Sequence, residues 1–294
     1  VRFTRELAAA TDATWEKRIT NLLTAKKGAW SLAIGTPEGL FLARDPYGIR
    51  PLAYGSYIDA NTWHRVWVAA SETSALEAMG VTTHKEVLPG QIIKIDDTGP
   101  QIIVDHDPDH PLGICVFEDV YLEDGRTRQH APRKDAEAIQ LAPTVETARR
   151  RSGEILAREA PLSRGEVDVV IGVPGTGIPG GQAYAETLGL PYKQYIRDRE
   201  KQKDQRTFMS AQLENILQKV LHHFEFDAEG LRGKRVVLVD DSIVRGNIMT
   251  GLIRLLKETY GVSEVHVRVL SPPIDKGCYL GVNTRREELL IARQ

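Results

Sequence analysis

Three β-branched, apolar runs in the second half of the chain constrain its fold most: 167–173, 235–239 and 264–270. Helical patterns separate them, and from Ile248 to Tyr260 apolar residues recur on one helical face. Strands this apolar, alternating with helices, are typical of a parallel sheet covered on both faces. The sequence therefore predicts an α/β domain with a parallel sheet.

The middle run continues into the most informative motif of the chain, Val236–Gly246. A buried strand would deliver Asp240 and Asp241 to its carboxyl end, where open α/β sheets bind ligands. A turn containing Gly246 then leads into a helix whose first amides can hold a phosphate. Adjacent carboxylates suit the two hydroxyls of a ribose, directly or through magnesium. An acidic pair alone would favour a solvated turn, but the whole motif favours a phosphoribosyl site.

The first third of the chain has a different pattern, in which short strands alternate with turns. Strands are predicted at 29–34, 40–43, 66–70 and 92–95. A helix is predicted to begin near Ser71, and a helical pattern spans Phe3 to Leu23. These elements predict an α+β layer structure and not a doubly wound domain.

Two polar segments, 105–109 and 124–134, are predicted to connect the structured parts. His106 and His110 are four residues apart and could present two metal ligands on a helix. Pro108 lies between them and disfavours that helix, so a metal site here is not expected.

Composition narrows the class of protein. Of the residues, 41% are hydrophobic and 27% charged, and the net charge of −2 gives no basic excess that would indicate a nucleic-acid partner. No apolar run approaches the length of a membrane span, and the first ten residues lack the apolar core of a signal peptide. Cys115 and Cys278 form no CxxC pair, so a reducing, cytoplasmic location is expected. Since Val1 stands where an initiator Met would be, we also expect the chain to begin inside a larger protein.

Segments along nearly the whole chain resemble the amidophosphoribosyltransferase family, in the family's order. Val236–Gly246 resembles its phosphoribosyl-pyrophosphate motif. The other matching segments are Arg44–Leu52, Ser71–Leu76, Leu88–Gly90, Cys115–Tyr121, Ser271–Val282 and Arg286–Leu289. The resemblance implies part of an α+β N-terminal-nucleophile (class II glutamine amidotransferase) domain at 1–122, followed by an α/β type I phosphoribosyltransferase domain with a parallel sheet at 123–294.

The activity that the resemblance implies is a glycosyltransferase reaction of purine biosynthesis. Glutamine and phosphoribosyl pyrophosphate would give 5-phosphoribosylamine, in an enzyme expected to form homo-oligomers. Asp240 and Asp241 would hold the ribose and magnesium. The 5′-phosphate would lie against Ser242, Arg245 and Gly246. Arg206 and Thr207 would belong to a flexible lid.

The two cysteines match segments that carry cluster ligands in the iron–sulfur branch of this family. Cys115 and Cys278 would be two of the four ligands of a four-iron four-sulfur cluster, with the other two beyond Gln294 in a complete protein. The alternative is a pair of buried, inert thiols. The family's glutaminase nucleophile is an N-terminal Cys. Because this chain begins with Val1, we expect no glutaminase activity from it alone.

The phosphoribosyl site departs from the family at several positions. Asn247, Ile248 and Met249 stand where the family has Thr-Thr-Ser, and Gly175 stands where it has an acidic residue. Further departures fall at Lys203, Gln205, Ile216 and His223. We expect weakened binding of phosphoribosyl pyrophosphate, since two lost hydrogen bonds cost about 2–4 kcal/mol. Two alternatives stay open: a paralogue that delivers ammonia or an amine to another acceptor, and a non-catalytic, nucleotide-sensing pseudoenzyme.

Overall fold

The computed structural model describes residues 2–129, 139, 141–199, 213–280, 282, 284 and 286–293, and the chain forms two compact units. The first unit is Val1–Glu118 with Arg126–Val145, and the second is Asp119–Gly125 with Glu146–Gln294. The predicted boundary at 122–123 lies inside the 119–125 stretch of the second unit. The chain then returns to the first unit, where the Arg128 amide donates to Thr73 Oγ1 at 2.8 Å.

The first unit contains three helices and seven strands among its described residues. In chain order they are α1 (Arg2–Ala9), α2 (Trp15–Thr24), β1 (Ser31–Thr36), β2 (Gly39–Arg44), β3 (Ala53–Ile58), β4 (Arg65–Ala70), α3 (Thr73–Ala78), β5 (His84–Glu86), β6 (Ile92–Asp96) and β7 (Gly99–Val104). The strands form two antiparallel sheets, ordered β1-β2-β6-β7 and β4-β3-β5.

The two sheets and the helices stack as four layers. On one face of the four-stranded sheet, Phe41 belongs to the same buried cluster as Ile19 of α2. On the other face, Leu42 clusters with Tyr54 of the three-stranded sheet. The outer face of that second sheet is covered by Leu76 of α3. Because successive side chains along a strand point to opposite faces, each sheet contributes to a separate hydrophobic core on each of its faces.

The helical pattern predicted from Phe3 to Leu23 is confirmed in part, because the structure forms two helices there, α1 and α2. Thr14 has an extended backbone, and its hydroxyl accepts the Lys17 amide proton at 3.3 Å. This is an N-cap, which begins a new helix and interrupts the previous pattern.

The second unit contains five helices of the α type and five strands among its described residues. They are α4 (Val145–Glu159), whose first residue still belongs to the first unit, β8 (Val169–Gly172), α5 (Gly177–Leu188), β9 (Ile196–Asp198), α6 (Leu213–His223), β10 (Phe224–Phe226), α7 (Ala228–Leu231), β11 (Arg235–Asp240), α8 (Asn247–Arg254) and β12 (Glu264–Val269). Single turns of π-helix at Glu118–Leu122 and Leu255–Thr259, and of 3₁₀-helix at Glu287–Leu289 and Ile291–Arg293, complete the described elements.

The predicted parallel sheet is confirmed, in the order β12-β11-β8. β11 is its central strand, and consecutive residues of β11 enter different cores. Val236 and Leu238 cluster with residues of α6 and α8, whereas Val237 and Val239 cluster with residues of α4 and α5. Both faces of the sheet are therefore covered, and its carboxyl edge is left to polar groups.

Candidate functional site

The acidic pair lies at the carboxyl end of the central strand, as predicted. Asp240 is the last residue of β11, and Asp241 follows it. Their backbone carbonyls accept the amide protons of Leu270 and Ser271 at 3.0 and 2.9 Å. The end of β12 thus fixes the backbone of both aspartates.

The two carboxylates have different surroundings. Buried Asp241 accepts from Thr176 Oγ1 at its Oδ1 and from Ser242 Oγ at its Oδ2, both at 2.7 Å. The Asp240 carboxylate accepts the Asp241 amide proton at 2.9 Å. Burial, followed by repulsion from the Asp241 charge, raises the pKa of Asp240 well above its ordinary value. Two adjacent carboxylates with a perturbed pKa are typical of a site that binds a cation or a hydrogen-bond donor.

A short loop carries the chain from Asp241 into α8. Ser242, Arg245 and Gly246 all lie in it, as predicted. Gly246 has φ 74°, which is the left-handed region that favours glycine, and it precedes the first residue of α8. The first amide of α8 that bonds within the helix is that of Thr250, which donates to the Gly246 carbonyl at 2.8 Å. The amides before it are available to an anion.

The three residues that stand in place of the family's Thr-Thr-Ser, 247–249, differ in burial. Met249 is only 6% exposed and belongs to the hydrophobic core, and Ile248 packs against the same core. Asn247 is exposed. In this chain the side chain at 249 therefore contributes to the hydrophobic core. The weakened phosphate binding expected from the residues at 247–249 stays a prediction.

A second loop, 173–177, approaches the acidic pair from the end of β8. A Cβ added at Gly177 would lie 2.6 Å from the Val239 carbonyl oxygen, so the start of α5 packs directly on the end of β11. Thr176 supplies the hydrogen bond to Asp241. Gly175 has φ 86°, and a Cβ there would meet no atom within 4 Å. The space that a side chain at this position would occupy is therefore free of atoms from the described residues.

Sequence reasoning missed a buried cation in this unit, Arg149 of α4. Its Nε donates to the Asp119 carbonyl at 2.9 Å, and its Nη2 donates to the Glu123 carbonyl at 2.7 Å. Burial lowers the pKa of Arg149, while attraction to the Asp241 carboxylate is the strongest opposing influence. Three successive arginines, 149–151, were the available signal, but they did not indicate which one is buried.

The remaining predicted site residues belong to other parts of the chain. Arg206 and Thr207 lie outside the described residues. Cys115 belongs to the first unit and Cys278 to the second, and each is half-buried. Cys278 Sγ accepts amide protons from Leu280 and Val282, both at 3.4 Å. Within the described ranges no cluster of three or more His, Cys, Asp or Glu side chains could hold a metal ion.

Comparisons with known proteins agree with this geometry. Residues 145–282 match the family model of the phosphoribosyl transferase domain. Human amidophosphoribosyltransferase is 36% identical over 291 residues, which cover 95% of this chain and 53% of the human protein. The amidophosphoribosyltransferase of Mycobacterium tuberculosis strain H37Rv is 37% identical over 285 residues, covering 96% of this chain and 49% of that protein.

Two solved structures are similar over 99% of the chain, each at 32% sequence identity. The structure of the allosteric regulatory enzyme of purine biosynthesis has a TM-score of 0.79 and is covered over 57% of its length. The glutamine phosphoribosylpyrophosphate amidotransferase from B. subtilis, complexed with ADP and GMP, has a TM-score of 0.78 and is covered over 58%.

The chain belongs to the amidophosphoribosyltransferase family. It spans about half the length of the curated relatives that it matches. The family resemblance read from the motifs is thereby confirmed, and the sheet that carries Asp240 and Asp241 is that of the phosphoribosyltransferase domain. Among the residues that the structure describes, no helix is long and apolar enough to cross a membrane.

Proposed function

We propose that the complete protein is an amidophosphoribosyltransferase, which makes 5-phosphoribosylamine from glutamine and phosphoribosyl pyrophosphate. The observation that carries the proposal is the acidic pair at the end of β11, followed by the left-handed Gly246 and the free amides at the start of α8. This arrangement offers acceptors for ribose hydroxyls beside donors for a phosphate, as a phosphoribosyl ligand requires. Location in the cytoplasm and assembly into homo-oligomers stay predictions.

The residues of the site have separate roles in this proposal. The carboxylates of Asp240 and Asp241 would accept ribose hydroxyls, and the hydroxyls of Thr176 and Ser242 would hold the Asp241 carboxylate in place. Adjacent carboxylate oxygens also fit the hard ligand set that magnesium prefers, with Asp240 and Asp241 as the residues that would hold it. When bound, magnesium would supply charge stabilisation for the departing pyrophosphate. Amides of the 242–246 loop and of α8 would hold the 5′-phosphate.

The first unit supports the glutamine-dependent half of the proposal. Its layers run helices, sheet, sheet and helix, which agrees with an N-terminal-nucleophile sandwich of the glutamine amidotransferase type. Glutamine would be the ammonia donor, and a reaction shielded from water would keep the ammonia nucleophilic.

An iron–sulfur cluster is a further proposal for the complete protein only. The chain has two cysteines, whereas a four-iron cluster takes four thiolates, so these residues alone do not fit one. Full-length protein purified anaerobically should be brown and should lose iron on Cys278→Ser. A colourless, iron-free preparation would leave both cysteines as ordinary, half-buried thiols.

Calorimetric titration with magnesium and phosphoribosyl pyrophosphate, up to millimolar concentrations, tests the phosphoribosyl site. Asp240→Asn and Asp241→Asn should each weaken binding by at least about tenfold, since each removes a charge-assisted acceptor. Asp168→Asn, at the opposite edge of the same sheet, is the matched control and should change affinity by less than about twofold. Equal affinities for all three variants and the parent would refute the proposal.

A second candidate, a site rebuilt for another acceptor or for nucleotide sensing, is favoured by the exposed Asn247 at the first position of α8. Asn247→Thr restores one hydroxyl without disturbing the core around Met249. If the parent does not saturate with phosphoribosyl pyrophosphate but Asn247→Thr does, the second candidate is supported. Saturable binding by the parent, with no gain in the variant, would contradict it.

A further inference from the structure

The phosphate loop of the second unit, residues 242–246, is contacted by a segment distant in sequence, residues 287–293. This segment consists of two turns of 3₁₀-helix, Glu287–Leu289 and Ile291–Arg293, with the fully buried Leu290 between them. The Ile291 amide donates to the carbonyl of Val244 at 3.0 Å. A backbone hydrogen bond thus reaches the middle of the loop from outside it.

The Ile291 side chain contacts the same loop at Gly246. A Cβ built on Gly246 would lie 2.6 Å from Ile291 Cδ1, so the isoleucine covers that side of the glycine. Gly246 is the residue whose left-handed backbone turns the chain into α8. Ile291 therefore holds the loop at two points, through its amide and through its side chain.

The 287–293 segment has an attachment of its own. Glu287 Oε1 accepts the Gly277 amide proton at 2.9 Å, and its other oxygen pairs with Arg293. The hydrogen bond from Gly277 lowers the pKa of Glu287, and the positive charge of Arg293 lowers it further. Since the segment is fixed at Gly277 as well as at Val244, it can transmit that fixation to the loop.

The carbonyls of this stretch share a pattern. Those of Asp240 and Asp241 receive amide protons from Leu270 and Ser271, which hold the acidic pair against β12. The carbonyl of Val244 receives its proton from Ile291. After Asp241 the chain leaves the sheet. At Val244 the hydrogen bond comes from Ile291 instead of from the end of β12.

We propose that Ile291 is a positioning residue of the phosphoribosyl site, which fixes the 242–246 loop in the conformation that presents its amides to a phosphate. The inference rests on the proposed function. A loop ordered in advance loses less conformational freedom when the ligand binds, so affinity for the phosphate increases. The pyrophosphate end of the ligand does not depend on this loop, and Ile291 should not affect it.

Two substitutions separate the contacts of Ile291. Ile291→Pro removes the amide proton together with the side-chain contact, so its loss beyond that of Ile291→Ala reports the hydrogen bond. Leu290, with φ −76° and ψ 123°, already has the backbone that a following proline requires, and proline is tolerated at the start of a helical turn. Ile291→Ala keeps the amide and removes the contact with Gly246. Glu288→Ala, an exposed change in the same segment, is the control.

Calorimetry with three ligands, each with magnesium, tests the proposal: phosphoribosyl pyrophosphate, ribose 5-phosphate and inorganic pyrophosphate. Each Ile291 variant should bind the first two about three- to tenfold more weakly, as expected for one lost hydrogen bond or contact, and pyrophosphate unchanged. Glu288→Ala should match the parent for all three.

The outcomes separate this inference from the proposed function. Equal losses for all three ligands would indicate general destabilisation and overturn the positioning role. A parent that binds phosphoribosyl pyrophosphate, with Ile291 variants of unchanged affinity, would overturn the inference alone. A parent that binds neither phosphoribosyl ligand would remove the proposed function and this inference together.

A double-mutant cycle gives a second measurement. Gly246→Ala should weaken ribose 5-phosphate binding, through backbone strain and through the clash with Ile291. Adding Ile291→Ala relieves the clash, so the double variant should bind more tightly than the product of the two single effects implies. Purely multiplicative effects would show that the two residues act separately, against the proposal.

Discussion

Asp168 lies at the amino end of the parallel sheet, just before β8, and Asp240 lies at its carboxyl end, as the last residue of β11. These two aspartates have opposite electrostatic surroundings. At the amino end, Asp168 receives the Arg235 amide and its guanidinium, both at 2.8 Å, and these hydrogen bonds lower the pKa of Asp168 to about 2. At the carboxyl end, burial and the adjacent Asp241 raise the pKa of Asp240. A cation satisfies the first carboxylate, whereas the second is held beside a like charge. The amino end therefore contributes to stability, and the carboxyl end holds the pair of carboxylates that we propose binds the ligand.

The largest expected effect concerns Arg149, the buried cation attracted by Asp241. Arg149→Ala should destabilise the protein by about 3 kcal/mol, because two carbonyls lose their donor and Asp241 loses a positive charge that attracts it. Arg151→Ala, at an exposed position of the same helix, should cost less than about 0.5 kcal/mol. Urea unfolding measures both. Similar costs for the two variants would mean that the acidic end needs no cation of its own.

The next effect has the opposite sign. Asp240→Asn should stabilise the protein by about 1 kcal/mol at pH 7, although it weakens ligand binding. A group with a raised pKa in the folded state contributes stability that is complete below its unfolded pKa of about 4 and is lost as the pH rises through the folded pKa. The advantage of the variant should therefore grow as the pH rises from 4. Thermal unfolding from pH 4 to pH 8 measures this advantage. A difference in unfolding temperature between variant and parent that stays constant over this range would contradict the prediction.

The smallest effect is expected for Asp168→Asn. The ion pair is about one-third exposed, so its loss should cost less than about 1 kcal/mol at pH 7. Because the folded-state pKa of Asp168 is lowered, its contribution is present above pH 4 and is lost as the pH falls through about 2. Acid titration of the unfolding midpoint should bring variant and parent together near pH 2. A gap that persists below pH 2 would assign the effect to packing and not to charge.

The sequence predicted what short-range pattern controls. The continuous apolar run of β11 indicated a strand covered on both faces, and the position of Asp240 and Asp241 followed directly from the end of that run. The sequence alone was therefore enough to locate the acidic pair. The strands β3, β5 and β7 were not predicted, because Gly55, Lys85 and Pro100 interrupt their apolar patterns.

Long-range contacts determined the parts that the sequence did not predict. Arg149 is buried because carbonyls of Asp119 and Glu123 lie against it, and nothing within α4 distinguishes it from Arg150 and Arg151. Met249 enters the core because of the helical phase that begins at Gly246.

The path of the chain between the units also limits how the protein can be divided. A fragment trimmed to 145–282 would lack the 119–125 stretch, and the guanidinium of Arg149 would lose both of its carbonyl acceptors. It would also lack residues 287–293, which hold Val244 and Gly246. The region recognisable as a phosphoribosyl transferase by sequence is therefore smaller than the region that must be expressed for it to be a self-sufficient folding unit.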